Sequence, residues 1–204
     1  LAHERICFVD QPYIVVNSLQ DDGTYEEEHY NGYFLAAAAA GKKAALPNVA
    51  DALTAKTFDG ITSLGAEYTE QQKKVNVQNG LMVFEFEGIN LICRRGITTD
   101  ISTVEAQQLS ISVADDDLAQ AVRQGLRRFR GLNIDDGLLD ACRTNARGIL
   151  SNKQKAKSIR SFDPNGIVAT QGTGSQKTWV FITGTYRAMY PCEVLLFSYG
   201  YDLA

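Results

Sequence analysis

Five consecutive alanines, Ala36 to Ala40, sit inside the stretch Asn31-Gly32-Tyr33-Phe34-Leu35 to Gly41. Alanine has no side-chain entropy to lose in a helix and the highest intrinsic propensity for one, so this run commits its segment to a helix. The flanking charges agree with that expectation. Glu26, Glu27 and Glu28 are expected in the first turn, where negative charge complements the helix dipole, with Lys42 and Lys43 in the last turn and Pro47 as the stop. A helix with so little side-chain bulk lets its backbone come close to whatever covers it, which is a sheet or helix of its own core, or another subunit.

The remaining segments alternate between the two periods. Arg5 to Val9 reads as a buried strand, followed by a polar connection with a turn at Asp22-Gly23. Thr69 and Gln72 have capping-box spacing for a short helix through Lys74, and Asn79-Gly80 offers positive φ after it. Leu81 to Phe86 and Asn90 to Arg95 flank a Glu-Gly turn, which predicts a hairpin. Asp115, Asp116 and Asp117 are expected to open and cap a second helix whose apolar stripe is Leu118, Val122, Leu126 and Phe129, ended at Gly131. A third helix is predicted from Asp136 to beyond Leu150, with Leu139, Cys142, Ala146 and Ile149 on one face. After the turn Asp163-Pro164-Asn165-Gly166, Lys177 to Tyr186 and Cys192 to Tyr199 read as strands. The class is therefore α+β, a mixed β-sheet flanked by helices.

The chain has 204 residues and an ordinary globular composition, 45% hydrophobic and 22% charged. Its longest apolar run, around Phe34 to Ala40, is too short to span a bilayer, so no membrane insertion is expected. The net charge of -4 conceals an asymmetry: Arg123 to Arg160 holds ten basic and three acidic residues, leaving the rest of the chain strongly acidic. Such polarity points to an acidic partner for the basic segment. A nucleic-acid-binding module using residues 123–160 is one reading of it. The helices there interleave only Phe129 and Phe162 with the cations, both at apolar positions, and the acidic pI of about 5.2 argues the same way, so no nucleic acid is expected as a partner.

Enzyme chemistry finds little material. Gln171-Gly172-Thr173-Gly174-Ser175-Gln176-Lys177-Thr178 superficially follows a phosphate-binding loop, but Gln171 and Gln176 stand where glycines are required and a strand follows where a helix should. His3 and His29 are the only histidines. The cysteines Cys7, Cys93, Cys142 and Cys192 have no zinc-ligand spacing and are expected mainly as core residues, with a disulfide as the alternative. No cofactor, no metal and no catalytic residue is expected.

The order of these features resembles the contractile tail sheath proteins. The motifs that carry the resemblance are the Tyr/Ala/Gly helix of residues 31–41, Thr69-Glu70-Gln71-Gln72, Asn79-Gly80-Leu81, and Ile92-Cys93-Arg94-Arg95-Gly96-Ile97-Thr98-Thr99. Val113 to Gly131, Ile149-Leu150 and Trp179 to Leu203 match the family's later helices and closing strands. The resemblance implies a structural subunit, not an enzyme. It implies homo-oligomeric, hexameric rings stacked helically around an inner tail tube protein, with baseplate and tail terminator proteins at the ends. Assembly in the host cytoplasm and residence in a virion tail follow, with a phage-tail-like bacteriocin or injection system as the alternative setting. It further implies the first part of a sheath core domain over residues 1–110, a C-terminal sheath domain over residues 111–204, and no visible N-terminal arm. Terminal strands of such subunits complete a neighbour's sheet, a role that falls to Val194, Leu196, Phe197 and Tyr199. The basic helix face with Arg143 and Arg147, and Lys153, Lys155 and Lys157 after it, is expected to face the inner tube, with Arg123, Arg127 and Arg128 as a second choice.

Overall fold

The computed structural model describes residues 2–192. The fold is α+β, and the strands among the described residues form five small sheets where the sequence predicts one mixed sheet. The first half opens with β1 (Phe8–Val9), a two-residue strand parallel to β6 (Leu81–Met82). The expected buried strand is thus shorter than residues 5–9, and Phe8 is exposed.

The polar connection and the start of the first helix are both replaced by a hairpin. β2 (Tyr13–Leu19) pairs antiparallel with β3 (Tyr25–Asn31) around the Asp22-Gly23 turn. Glu26, Glu27 and Glu28 therefore lie in an edge strand and not in a helix turn. The β-branched run of β2 supplies the reason: Ile14 and Val15 bury themselves only if a partner strand completes their ladder, and the carboxylate of Glu28 is held by Ser18 and Tyr30. β5 (Ile61–Leu64) pairs with the other edge of β2.

The alanine helix, α1 (Tyr33–Ala44), starts only after the hairpin closes. Gly32 makes that junction possible, because a Cβ there would lie 1.7 Å from the Gln11 carbonyl oxygen. Leu35 and Ala39 are the apolar residues α1 buries. They meet Ile14, Leu53, Phe58, Met82, Phe84, Leu91 and Cys93 in the larger core. Phe58 comes from β4 (Thr57–Phe58), which pairs with β8 (Asn90–Cys93), while β8 makes the predicted hairpin with β7 (Phe84–Glu87). The rings of Phe58 and Phe84 meet edge to face at 5.2 Å. Helix α2 (Glu70–Gln78) begins in the expected capping box, with Thr69 and Gln72 bonding each other's backbone N–H, and extends four residues past Lys74. Lys73 and Arg94 each bridge Glu70 and Glu85, which ties α2 to the β7–β8 hairpin.

The second half departs from expectation at its aspartates. α3 (Val104–Gln107), capped by Thr103, leads through extended Gln108 into α4 (Leu109–Leu126), so Asp115 to Asp117 lie inside the helix and cap nothing. Ser110, Ile111, Ser112 and Ala114 ahead of them are buried on the same helix. α5 (Asp136–Lys155) follows a 3-10 turn at Arg127–Phe129 and is capped by Asp135. Its buried residues are Leu138, Cys142, Ala146 and Leu150, a stripe rotated from the predicted one at Leu139 and Ile149. Two strand pairs cover it: β9 (Ile159–Phe162) with β12 (Tyr186–Ala188), and β10 (Val168–Gln171) with β11 (Val180–Thr183). The second core is Leu118, Ala146, Leu150, Ile159 and Ile167. The failed phosphate loop is the connection between β10 and β11, with a 3-10 turn at Gly174–Gln176.

Two outcomes test this packing. Phe84→Ala removes a fully buried ring from the first core and is expected to lower unfolding free energy by about 3–5 kcal/mol in urea titrations. Lys43 is buried at the end of α1, donating to the carbonyls of Val49 (2.7 Å) and Asp51 (2.5 Å). Burial pushes its amine down to about 8 from the ordinary 10.5, against the opposing pull of Asp51. Above about 8 the folded chain has released this proton while the unfolded chain keeps it up to 10.5, so stability rises with pH across that interval and is flat below it. Lys43→Met is expected to abolish the rise; an equal pH slope in both proteins would show that the amine stays charged in the fold.

Candidate assembly surfaces

The basic segment folds onto α4, α5 and the turn after each, and its cations differ sharply in what they do. Lys153 forms an ion pair with Asp117 of α4, so it is a link between the two helices. Arg143 pairs with Asp140 one turn back on α5. The Nε atoms of Arg143 and Arg147 are buried without a hydrogen-bond partner among the described residues. Lys155 and Lys157 are exposed, and among the described residues neither enters an ion pair. The five residues expected to act as one tube-facing set are therefore one interhelical link, two half-buried arginines and two free lysines.

Lys157 also has a backbone role that the sequence conceals. It occupies the left-handed region at φ 58, where glycine is usual. Its N–H donates to Gln154 O (3.0 Å) and the Ser158 N–H to Lys153 O (2.9 Å), the paired bonds of a Schellman end to α5. Just beyond, Asn48 from the first half donates to Ala156 O (2.5 Å) and accepts from Ser158 Oγ (3.3 Å).

A second set of cations, Arg123, Arg127, Arg128 and Arg130, is exposed around the end of α4. Arg128 lies over the Phe129 ring at 4.8 Å. Gly125 lets α5 approach here, since a Cβ would stand 2.5 Å from Ile149 Cδ1. Between α4, α5 and β11 opens an apolar hollow of about 240 Å³, lined by Leu126, Phe129, Leu132, Leu138 and Ile182 with Arg130 at its edge.

The aspartates of α4 act as anchors. Asp116 receives Arg5 through Nε at 2.9 Å and Nη2 at 2.8 Å, and this guanidinium holds its carboxyl below the usual range. Among the described residues no group of three His, Cys, Asp or Glu side chains is placed to hold a metal ion, and no helix is long and apolar enough to cross a membrane. Cys93 and Cys142 lie in the cores, and burial pushes the Cys93 thiol up to about 12 and the half-buried Cys7 thiol up to about 11. The strand residues Val194, Leu196, Phe197 and Tyr199 lie outside the described residues.

The β9–β12 sheet has only two strands, and among the described residues no third strand pairs with either outer edge. Backbone donors and acceptors on such edges are a template for another chain.

Neither a family model nor a curated protein matches the sequence. Solved structures do match in fold. The helical sheath of the anti-feeding prophage in its contracted state superposes with a TM-score of 0.73 at 13% identity, covering 94% of this chain and 54% of that one. The sheath tail protein of Desulfitobacterium hafniense gives 0.67 at 16% identity, over 92% of this chain and 46% of its own. The contracted sheath complex of an extracellular contractile injection system gives 0.70 at 9% identity, over 94% and 55%. The chain thus has the fold of contractile sheath subunits and spans about half the length of the sheath proteins it matches.

Replacing Lys157 by glycine relieves the left-handed strain without touching the Schellman bonds. Lys157→Gly is expected to raise unfolding free energy by about 1 kcal/mol, read from the urea midpoint.

Proposed function

We propose that this chain, having the sheath fold, is the core portion of a structural subunit that polymerises as stacked hexameric rings around an inner tube. Contraction of that polymer drives the tube through a cell envelope, and the subunit resides in a phage tail or a related injection particle. The observation that carries the reading is a sheath fold extending over more than nine-tenths of the chain, joined to a two-stranded sheet with no third strand on either edge among the described residues. Residues 1–110 form the first part of the sheath core and residues 111–204 the C-terminal domain, a division supported by separate buried clusters in the two halves.

In this reading the segment bearing Val194, Leu196, Phe197 and Tyr199 adds to the β9–β12 sheet of a neighbouring copy, supplying a row of backbone hydrogen bonds that persists while subunits rotate. Arg143, Arg147, Lys153, Lys155 and Lys157 face the inner tube, with Lys155 and Lys157 making the releasable contacts because neither enters an ion pair among the described residues. Charged surfaces suit a grip that must let go: attraction acts over about 8 Å at physiological salt and no packed core has to open. Baseplate and terminator proteins bound the polymer at its ends.

Two variants test the two contacts separately. Deleting residues 192–204 is expected to leave a folded, soluble chain that no longer forms tubes in electron micrographs; tubes with the normal ring repeat would sink the strand-exchange role. Lys155→Glu with Lys157→Glu is expected to give empty or prematurely contracted sheaths on assembly with the tube protein, whereas filled, extended sheaths at normal yield would remove these lysines from the tube contact.

A further inference from the structure

The β2–β3 hairpin runs out beyond its own core. Ile14, Val16 and Tyr30 pack into the first core near its base, yet residues 19–27 are exposed except for the partly covered Gln20. At the far end Leu19 and Tyr25 stand directly opposite each other in register, 65% and 72% exposed, an apolar pair left uncovered among the described residues. The same end is acidic, with Asp21, Asp22, Glu26 and Glu27 exposed and none of them in an ion pair among the described residues. No lysine or arginine occurs from Ile6 to Gly41, so nothing on this element offsets the charge.

The hollow at the end of α4 has the opposite character. Its floor is apolar, Leu132 on it is 57% exposed, Arg130 lines it, and Arg127 and Arg128 are exposed on the turn that carries Phe129 into it. Arg127 and Arg130 enter no ion pair among the described residues. An apolar hollow with guanidinium groups on and beside its rim fits an aromatic or aliphatic knob that carries carboxylates.

We propose that the hairpin end of one copy seats in this hollow on a second copy, Leu19 and Tyr25 entering the apolar floor while Asp21, Glu26 and Glu27 meet Arg127 and Arg130. The occupant is another copy of this chain because both halves of the match are present on it, and no ion pair joins them within one chain among the described residues. Arm and seat are different surfaces, so the contact is heterologous. Each copy uses its arm on one neighbour and its seat on another, which propagates rings or helical filaments and does not stop at a dimer. The contact does not require the chain to be a sheath subunit. It differs from strand addition at β9–β12 in being carried by side chains and in weakening with salt.

The test is the mass of the 204-residue chain by sedimentation equilibrium as concentration rises, at ionic strengths of about 0.01 M and about 1 M. Concentration-dependent association that weakens at the higher salt is expected. The arm-reversed variant (Glu26→Lys, Glu27→Lys) and the seat-reversed variant (Arg127→Glu, Arg130→Glu) are each expected to associate at least about tenfold more weakly than wild type. Mixing the two restores association, since each then presents a surface of the sign the other needs. All four side chains are exposed, and circular dichroism melts matching wild type confirm that the variants fold. A wild-type mass that stays monomeric at low salt, undiminished association in either variant, or no recovery on mixing overturns the proposal. Sheath tubes of normal repeat formed by the reversed variants would likewise overturn the arm-to-seat contact while leaving the sheath reading intact.

Discussion

Side-chain bulk is what α1 lacks, and that deficiency sets the spacing of everything around it. With only Leu35 and Ala39 as apolar residues turned inward, the helix comes close enough for Phe58, Phe84, Met82 and Leu91 to fill the first core from the sheet side. Close approach demands room at the backbone as well. Gly32 gives it where the chain passes the Gln11 carbonyl, and Gly96 gives it where a Cβ would stand 2.9 Å from Leu53 Cβ. Burial this tight also captures Lys43, whose amine is held by two carbonyls at the helix end instead of reaching solvent.

The second half solves a different problem, which is how to make one long amphipathic helix serve as a platform. α5 buries one stripe against α4 and against both two-stranded sheets, so neither sheet needs a hydrophobic layer of its own. The ion pairs reinforce this arrangement by position more than by strength. Arg5–Asp116 pins the N-terminal segment to α4, and Lys153–Asp117 joins α4 to α5. Adjacent aspartates thus reach in different directions to separate partners, as successive residues on a helix must.

What could be read from the sequence was whatever is decided locally. The Thr69–Gln72 capping box, the Gly88 turn, the end of α1 before Pro47 and the extent of α5 are all short-range chemistry. The failures share one cause. Glu26 to Glu28 look like a first helix turn until β2 is recognised as their partner, and Asp115 to Asp117 look like a cap until residues 109–114 are seen buried on the same helix. In both places the charge pattern is local, while the element that carries it is set by a tertiary neighbour. Lys157 in a left-handed cap and the short strands β9 and β10 carried no local signal at all. For the assembly surfaces, the basic segment was visible as net charge, but which cations are free depends on where Asp117 and Asp140 fall in space.

The strand pair β9–β12 has a further property that lies in time. Its partners are separated by the whole β10–β11 hairpin, and β12 is the last strand among the described residues. Closing so long a loop carries an entropic cost that local elements such as α5 and the β10–β11 hairpin do not meet, which favours those elements forming before the β9–β12 pair. The β9–β12 edges, which no third strand covers among the described residues, are on that ordering completed after α5 and the β10–β11 hairpin. On the strand-addition proposal, that order would leave a partly folded copy without an edge on which to pair.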